Sequence, residues 1–142
     1  MKIRELRISL LLAWLATLAF VATALAALPP GSIEKLKAGA QEKLKIKILD
    51  VEQKPGKGPK LKVTFTAEVL EVERSATGLK PGEKITIQSY HWTKSYAGPP
   101  NPPILAKGWI GLAYLNKAKG KAPGSGKTYS LAAYGDSFEK SQ

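Results

Sequence analysis

The sequence predicts an all-β domain of five strands, a small barrel or sandwich with at most one short helix. Apolar and polar residues alternate over several short stretches, which is the period of half-buried strands. Pro and Gly residues of the kind that form turns separate these stretches. Short strands punctuated by turns are typical of β-barrels and β-sandwiches.

The N-terminus has the three parts of a secretory signal peptide. A basic start, residues 1–7, precedes an apolar stretch, residues 8–28, in which Ala24 and Ala26 are the small residues before the cleavage point. An uncleaved anchor is the alternative, because about 20 apolar residues can span a bilayer. The helix-breaking prolines that follow favour cleavage after Ala26. We therefore expect a secreted or periplasmic protein that contacts a membrane only if the signal segment is kept.

The remaining chain has the length of a single domain. We divide the sequence into a signal peptide at residues 1–26, a leader segment at 27–41 and a barrel domain at 42–142. The chain contains no cysteine, which excludes disulfides, thiolate metal sites and cysteine nucleophiles. An exported protein without disulfides fits a bacterial cell envelope better than an animal secretory domain.

The chain is strongly basic, with a formal net charge of +11. The signal segment carries +2 of this charge, which leaves +9 on the mature part, and Arg74 is its only arginine. Lysine is a hydrated point charge without the planar fork that reads base edges. The excess predicts general attraction to anionic polymers or surfaces, or alternatively a solvated basic surface with no dedicated partner.

One short helix and two strands are predicted for the first half of the mature chain. Residues 29–40 of the leader segment are expected to contain a short helix that Ser32 caps. Residues 44–48 alternate Leu and Ile with Lys, and residues 61–69 alternate apolar residues with Lys, Thr and Glu. After residue 69 the apolar phase slips by one position, which predicts a β-bulge.

Three more strands are predicted in the second half. A Pro/Gly turn at residues 78–82 introduces a strand at 85–92. The loop at residues 93–107 contains four prolines, which set its shape without secondary structure. Strands are expected again at 109–115 and 128–134, and Ser137-Phe138 is expected to close the core.

Motifs for catalysis are missing from the sequence. Residues 122–128 resemble a phosphate-binding P-loop, but Lys121 stands where its first glycine is required, and a strand follows where a helix is needed. His91 is the only histidine, and neither a nucleophile with its base nor a pair of catalytic carboxylates can be assembled. We therefore expect no enzymatic activity, no catalytic residue, no metal site and no cofactor.

An aromatic group flanks the proline-rich loop and carries the candidate binding site. Aromatic rings beside lysines can form a platform for sugars, bases or a proline-rich peptide. The alternative is that Tyr90 and Trp109 belong to the core and the others pack on the loop's prolines. The candidate binding residues are Tyr90, His91, Trp92, Lys94, Tyr96, Lys107 and Trp109.

Four segments of residues 61–139 are similar to netrin-like domains, the OB-type barrel shared with tissue inhibitors of metalloproteinases. They are VLEVERS at 69–75, GLKPGEKI at 78–85, GWIGLAYL at 108–115 and YSLAAYGDSF at 129–138. The resemblance implies an OB-like barrel whose loops and one face bind protein, sugar or nucleic acid. Those inhibitors act through an N-terminal cysteine, so neither their mechanism nor their disulfides can be transferred to this chain.

These observations together predict an exported, non-enzymatic binding module. Its expected partner is an anionic polysaccharide or another protein. Two alternatives remain open, an accessory subunit that docks to a larger exported enzyme and a nucleic-acid-binding OB domain. The scarcity of arginine and the predicted export both count against nucleic acid.

Overall fold

The computed structural model describes residues 28–119 and 127–142. The predicted signal peptide and most of the P-loop-like segment lie outside the described residues. The elements are helix α1 (Ser32–Ala38), strands β1 (Glu42–Pro55), β2 (Lys60–Ser75), β3 (Lys84–Trp92), β4 (Ile110–Lys117), β5 (Thr128–Leu131) and β6 (Phe138–Lys140), and a 3-10 helix (Tyr134–Ser137).

Five of the strands close into a barrel. Their order is β1-β2-β3-β5-β4, and β1 also pairs with β4, which joins the two ends of the sheet. The β3–β5 pair is parallel and the other pairs are antiparallel. This is the five-stranded OB-like barrel with one short helix that was expected, so the predicted fold class is confirmed. The short strand β6 adds a further pairing along β4.

The bulge predicted in β2 is present at Leu70. Lys45 of β1 pairs with Glu71 and the next residue, Ile46, pairs with Val69, so the register passes over Leu70. An unpaired residue bends the strand and increases its twist. A long strand can therefore serve as a wall of a small closed barrel.

Inward-facing side chains of all five barrel strands form one core. The largest fully buried apolar side chains are Leu44, Ile46, Ile48, Val63, Phe65, Val69, Ile85, Ile87, Leu115 and Tyr129. Phe138 closes one side of this core, with its ring edge-to-face on Phe65 and on Trp109 at 5.8 Å in both cases. Ser137 and Phe138 are buried, as the sequence predicted.

The leader helix packs on the outside of the barrel. The guanidinium of Arg74 donates to the carbonyl oxygens of Lys37 and Ala40, each at 3.0 Å, and Lys37 forms an ion pair with Glu139. The predicted cap was wrong. Gly31 occupies the N-cap position in a left-handed conformation, without a side-chain hydrogen bond, and Ser32 is already the first helical residue.

Two strands differ most from the prediction. The first strand runs over Glu42–Pro55, because its second half continues along β2 as a hairpin beyond the region paired with β4. The last predicted strand ends at Leu131 instead of residue 134. Tyr134 has a φ of 51°, a left-handed backbone conformation that cannot continue a strand, and the 3-10 helix begins there.

Candidate functional site

A groove with a volume of about 860 Å³ lies on the outer face of β2, β3 and β5. Val63 and Phe65 of β2 point into the core, so the alternate residues of that strand point outward. The floor carries Lys60, Lys62 and Thr64 from β2, Gln88 and Tyr90 from β3, and Ser130 from β5. The turn between β1 and β2, Leu36 of α1, and Tyr134 form its walls.

The groove is positively charged. Lys57, Lys60 and Lys62 line it, and none of the described residues that line it is acidic. On the neighbouring part of the sheet, Lys43 and Lys45 of β1 are instead paired with glutamates of β2. Within residues 28–119 and 127–142, the three groove lysines form no ion pair. Their charge is therefore available to a ligand.

The ammonium group of Lys60 lies over two aromatic rings. Its Nζ is 4.5 Å from the ring centroid of Tyr90 and 5.5 Å from that of Trp92. The ring of Tyr96 also packs on the ring of Trp92, and the two ring centroids are 4.9 Å apart. These cation–π contacts hold the Lys60 ammonium above the end of β3, and they cover ring surface that a base would need for stacking.

Hydrogen bonds to β3 hold the proline-rich loop in place. The side chain of Asn101 bonds both the N–H and the carbonyl oxygen of Trp92, each at 2.9 Å. His91 Nδ1 lies 2.7 Å from the carbonyl oxygen of Pro102, which can only accept, so this nitrogen carries the hydrogen. His91 thus has a role in the domain itself, because it anchors a buried proline of the loop.

The same loop docks on the 3-10 helix and positions Tyr134. The N–H of Gly135 donates to the carbonyl oxygen of Pro100 at 2.9 Å. A Cβ added at Gly135 would lie 2.6 Å from the carbonyl oxygen of Asn101, so only glycine allows this approach. The buried hydroxyl of Ser137 accepts from the N–H of Ala133 at 2.8 Å. Contacts on both sides therefore fix the backbone of Tyr134.

The hydroxyl of Tyr90 remains protonated at neutral pH. Burial raises the pKa of Tyr90, and the phenols of Tyr96 and Tyr134 raise it further. A phenol that keeps its hydrogen is a donor to an anionic ligand and does not repel it. Tyr96 is committed elsewhere, because its hydroxyl donates to the carbonyl oxygen of Pro99.

The structure brings only some of the sequence-predicted site residues together. Tyr90, Trp92 and Tyr96 form one cluster near the end of β3. Lys94 and Lys107 are exposed in the loop, outside the groove lining. Trp109 packs on Phe138 and belongs to the core, which is the alternative the sequence left open.

Sequence reasoning missed the groove lysines and Tyr134. Lys60 and Lys62 alternate with the inward-facing residues of β2, so they could have been assigned to its solvent face. Nothing local in the sequence indicated that this face adjoins β3 and β5 with Tyr134 at its wall. Tyr134 was assigned to a strand, where its side chain had no predicted role.

In the described part of the chain, no three His, Asp or Glu side chains lie close enough together to hold a metal ion. Nor does any helix there have the length and apolar character needed to cross a bilayer.

No protein-family model, curated protein or solved structure matches the chain.

Proposed function

We propose that the protein is an exported, non-enzymatic binding module whose basic groove holds an anionic polymer. The observation that carries this proposal is the set of three lysines, Lys57, Lys60 and Lys62, in a groove lined by no described carboxylate. The groove lies on β2 and β3, the face with which OB-type barrels bind oligonucleotides and oligosaccharides. The position of the groove and its positive charge therefore both support an anionic polymer as the ligand.

An anionic polysaccharide fits the groove better than a nucleic acid. Single-stranded nucleic acids are held largely by stacking their bases on exposed aromatic rings. Here the Lys60 ammonium lies over the rings of Tyr90 and Trp92, and the ring of Tyr96 packs on that of Trp92. Arg74, the only arginine of the mature chain, is used to hold α1. The groove thus offers ammonium groups and hydroxyls more readily than stacking surfaces.

The cellular setting is part of the same proposal. The N-terminal pattern of a basic start, an apolar stretch and small residues supports export to a bacterial envelope. The motifs quoted above support a netrin-like relationship, and the barrel order is compatible with it. Anionic polysaccharides are abundant outside the cell, so an exported basic module would meet such a partner.

The experiment is a binding titration of the purified protein with heparin at low and at high salt. We expect binding at low salt that weakens as salt rises, because the contacts are between exposed charges. Lys62→Glu should weaken binding at low salt by about tenfold, since it removes one favourable contact and adds a repulsive one. Lys80→Glu, in the turn before β3, is the matched control with the same change in net charge.

Two outcomes would overturn the proposal. If the protein does not bind at low salt, the groove is not a site for anionic polymers, and the search moves to a docking partner in the envelope. If Lys62→Glu and Lys80→Glu weaken binding equally, net charge alone is responsible. A single-stranded oligonucleotide of equal charge that binds more tightly than heparin would favour the nucleic-acid alternative.

A further inference from the structure

We propose that Tyr90 and Tyr134 act together as a pair of hydroxyl donors that binds an oxyanion of the ligand beside the Lys60 ammonium. The inference rests on the proposed function of the groove and names the residues that select among its ligands. The ligand group is a carboxylate, sulfate or phosphate carried on a polymer.

The first observation concerns the hydrogen bonds of the five tyrosines. Tyr129 bonds Thr77, Tyr96 donates to Pro99, and Tyr114 interacts with Lys43. The hydroxyls of Tyr90 and Tyr134 form no hydrogen bond with any residue that the structure describes, and both residues line the groove. Neither hydroxyl oxygen is fully buried, so both are accessible from the groove. A ligand there can accept a hydrogen bond from each of them.

The second observation is the backbone of Tyr134. Its φ of 51° lies in the left-handed region, which is unfavourable for a residue with a bulky side chain. Strained positions persist where the surrounding structure holds them, and they concentrate at functional sites. The bonds from Gly135 to Pro100 and from Ala133 to Ser137 hold this one. Their effect is to keep Tyr134 at the wall of the groove.

The third observation is the charge around the pair. Lys60 places its ammonium 4.5 Å from the ring centroid of Tyr90, and no described acidic residue lines the groove. Hydrogen bonds from neutral donors to a charged acceptor are stronger than those to a neutral one. The raised pKa of Tyr90 keeps its hydroxyl a donor over the physiological range. An oxyanion therefore gains two phenol donors and one nearby positive charge.

The test removes single hydroxyls and keeps the rings. Tyr90→Phe and Tyr134→Phe are titrated with heparin, hyaluronate and polyphosphate at one ionic strength, to distinguish sulfate, carboxylate and phosphate as the bound group. Each variant should bind at least one of these polymers about tenfold more weakly, the loss expected for a hydrogen bond to a charged group. Tyr114→Phe is the matched control and should bind as the unaltered protein does, because Tyr114 contacts Lys37 and Lys43 and does not line the groove.

The outcomes separate this inference from the proposed function. If the phenylalanine variants lose affinity for a single polymer, that polymer identifies the oxyanion that the pair selects, and the proposal is supported. If both phenylalanine variants bind all three polymers as the unaltered protein does, while Lys62→Glu still weakens binding, the hydroxyl pair is overturned and the basic groove stands. If neither hydroxyl removal nor Lys62→Glu has an effect, both proposals fail. Equal urea midpoints for all variants exclude unfolding as the cause of a loss.

Discussion

Asn101 bonds Trp92 as a neighbouring strand would. Its side-chain oxygen accepts from the Trp92 N–H and its side-chain nitrogen donates to the Trp92 carbonyl oxygen, both at 2.9 Å. A loop side chain thus continues the hydrogen bonding of β3 at the point where the strand ends. Because Asn101 adjoins the residues that contact His91 and Gly135, this one side chain ties the loop to the groove.

Asn101→Asp should destabilise the protein although it changes the shape of the side chain very little. The carboxylate keeps an acceptor for the Trp92 N–H but places a negative oxygen opposite the Trp92 carbonyl. Because the bond is exposed, we expect the free energy of unfolding to fall by about 0.5–1.5 kcal/mol. Urea unfolding followed by circular dichroism measures the change.

Asn116→Asp is the matched control for that variant. The side-chain oxygen of Asn116 accepts from the N–H of Gln41 at 3.0 Å, and an aspartate oxygen can do the same. Its urea midpoint should stay near that of the unaltered protein. Equal losses for the two variants would mean that added negative charge, and not the missing donor, is responsible.

Thr77→Val should lower the free energy of unfolding by more than its small change in shape indicates. Thr77 Oγ1 donates to the buried carboxylate of Glu42 and accepts from the hydroxyl of Tyr129, both at 2.7 Å. Valine keeps the branched shape but leaves Tyr129 without its acceptor and Glu42 with the Thr77 backbone N–H alone. Since Glu42 is fully buried, we expect a loss of about 2 kcal/mol in the free energy of unfolding.

Thr66→Val provides the comparison for this prediction. Thr66 is half-buried on the outer face of β2, opposite Thr86, and valine is at least as favourable in a strand. Its unfolding free energy should change by less than about 0.5 kcal/mol. A Thr77→Val protein as stable as Thr66→Val would contradict the stabilising role of this buried network.

Stability should fall at alkaline pH because of Tyr129. Burial raises the pKa of Tyr129 above its ordinary value, although the hydrogen bond with Thr77 acts in the opposite direction. The folded state therefore holds this proton more tightly than the unfolded chain, in which tyrosine titrates near about pH 10. The contribution is complete below about pH 10 and is lost as the pH rises through the folded pKa.

Urea midpoints between pH 7 and pH 11.5 measure this effect. The midpoint should be constant to about pH 9 and fall above about pH 10. Tyr129→Phe should reduce the alkaline fall, because phenylalanine has no proton to lose. An equally steep fall in Tyr129→Phe would assign it to other groups with a raised pKa, such as Tyr90, whose pKa burial also raises.

Local patterns in the sequence were enough to predict most of the strands. The alternation of Val63 and Phe65 with lysine and threonine predicted β2, because a strand exposes every second residue. The bulge at Leu70 was predicted from the change of phase that follows it. The N-cap was mispredicted at Ser32, since a left-handed glycine before the helix serves there without any side-chain bond.

The site depended on contacts between distant parts of the chain. Tyr90, Trp92 and Tyr96 are close in sequence, and their clustering could be predicted. The sequence left Trp109 open as a site residue or a core residue, and its packing on Phe138 placed it against the core. Tyr134 could not be predicted at all, because its left-handed backbone is held by the proline-rich loop more than 30 residues away.

Composition and periodicity, which are local properties, are sufficient to predict a small, basic, cysteine-free β domain with turns at known places. Tertiary structure alone determined that Lys60 and Lys62 share a groove with Tyr90 and Tyr134. The antiparallel pairing of β2 with β3 places Lys62 opposite Tyr90, and the parallel pairing of β3 with β5 places the segment that leads to Tyr134 beside them. Such pairing depends on backbone hydrogen bonds between distant segments and on burial of a common core. The alternation of apolar residues shows which side of a strand is buried, but it does not show which strand pairs with it.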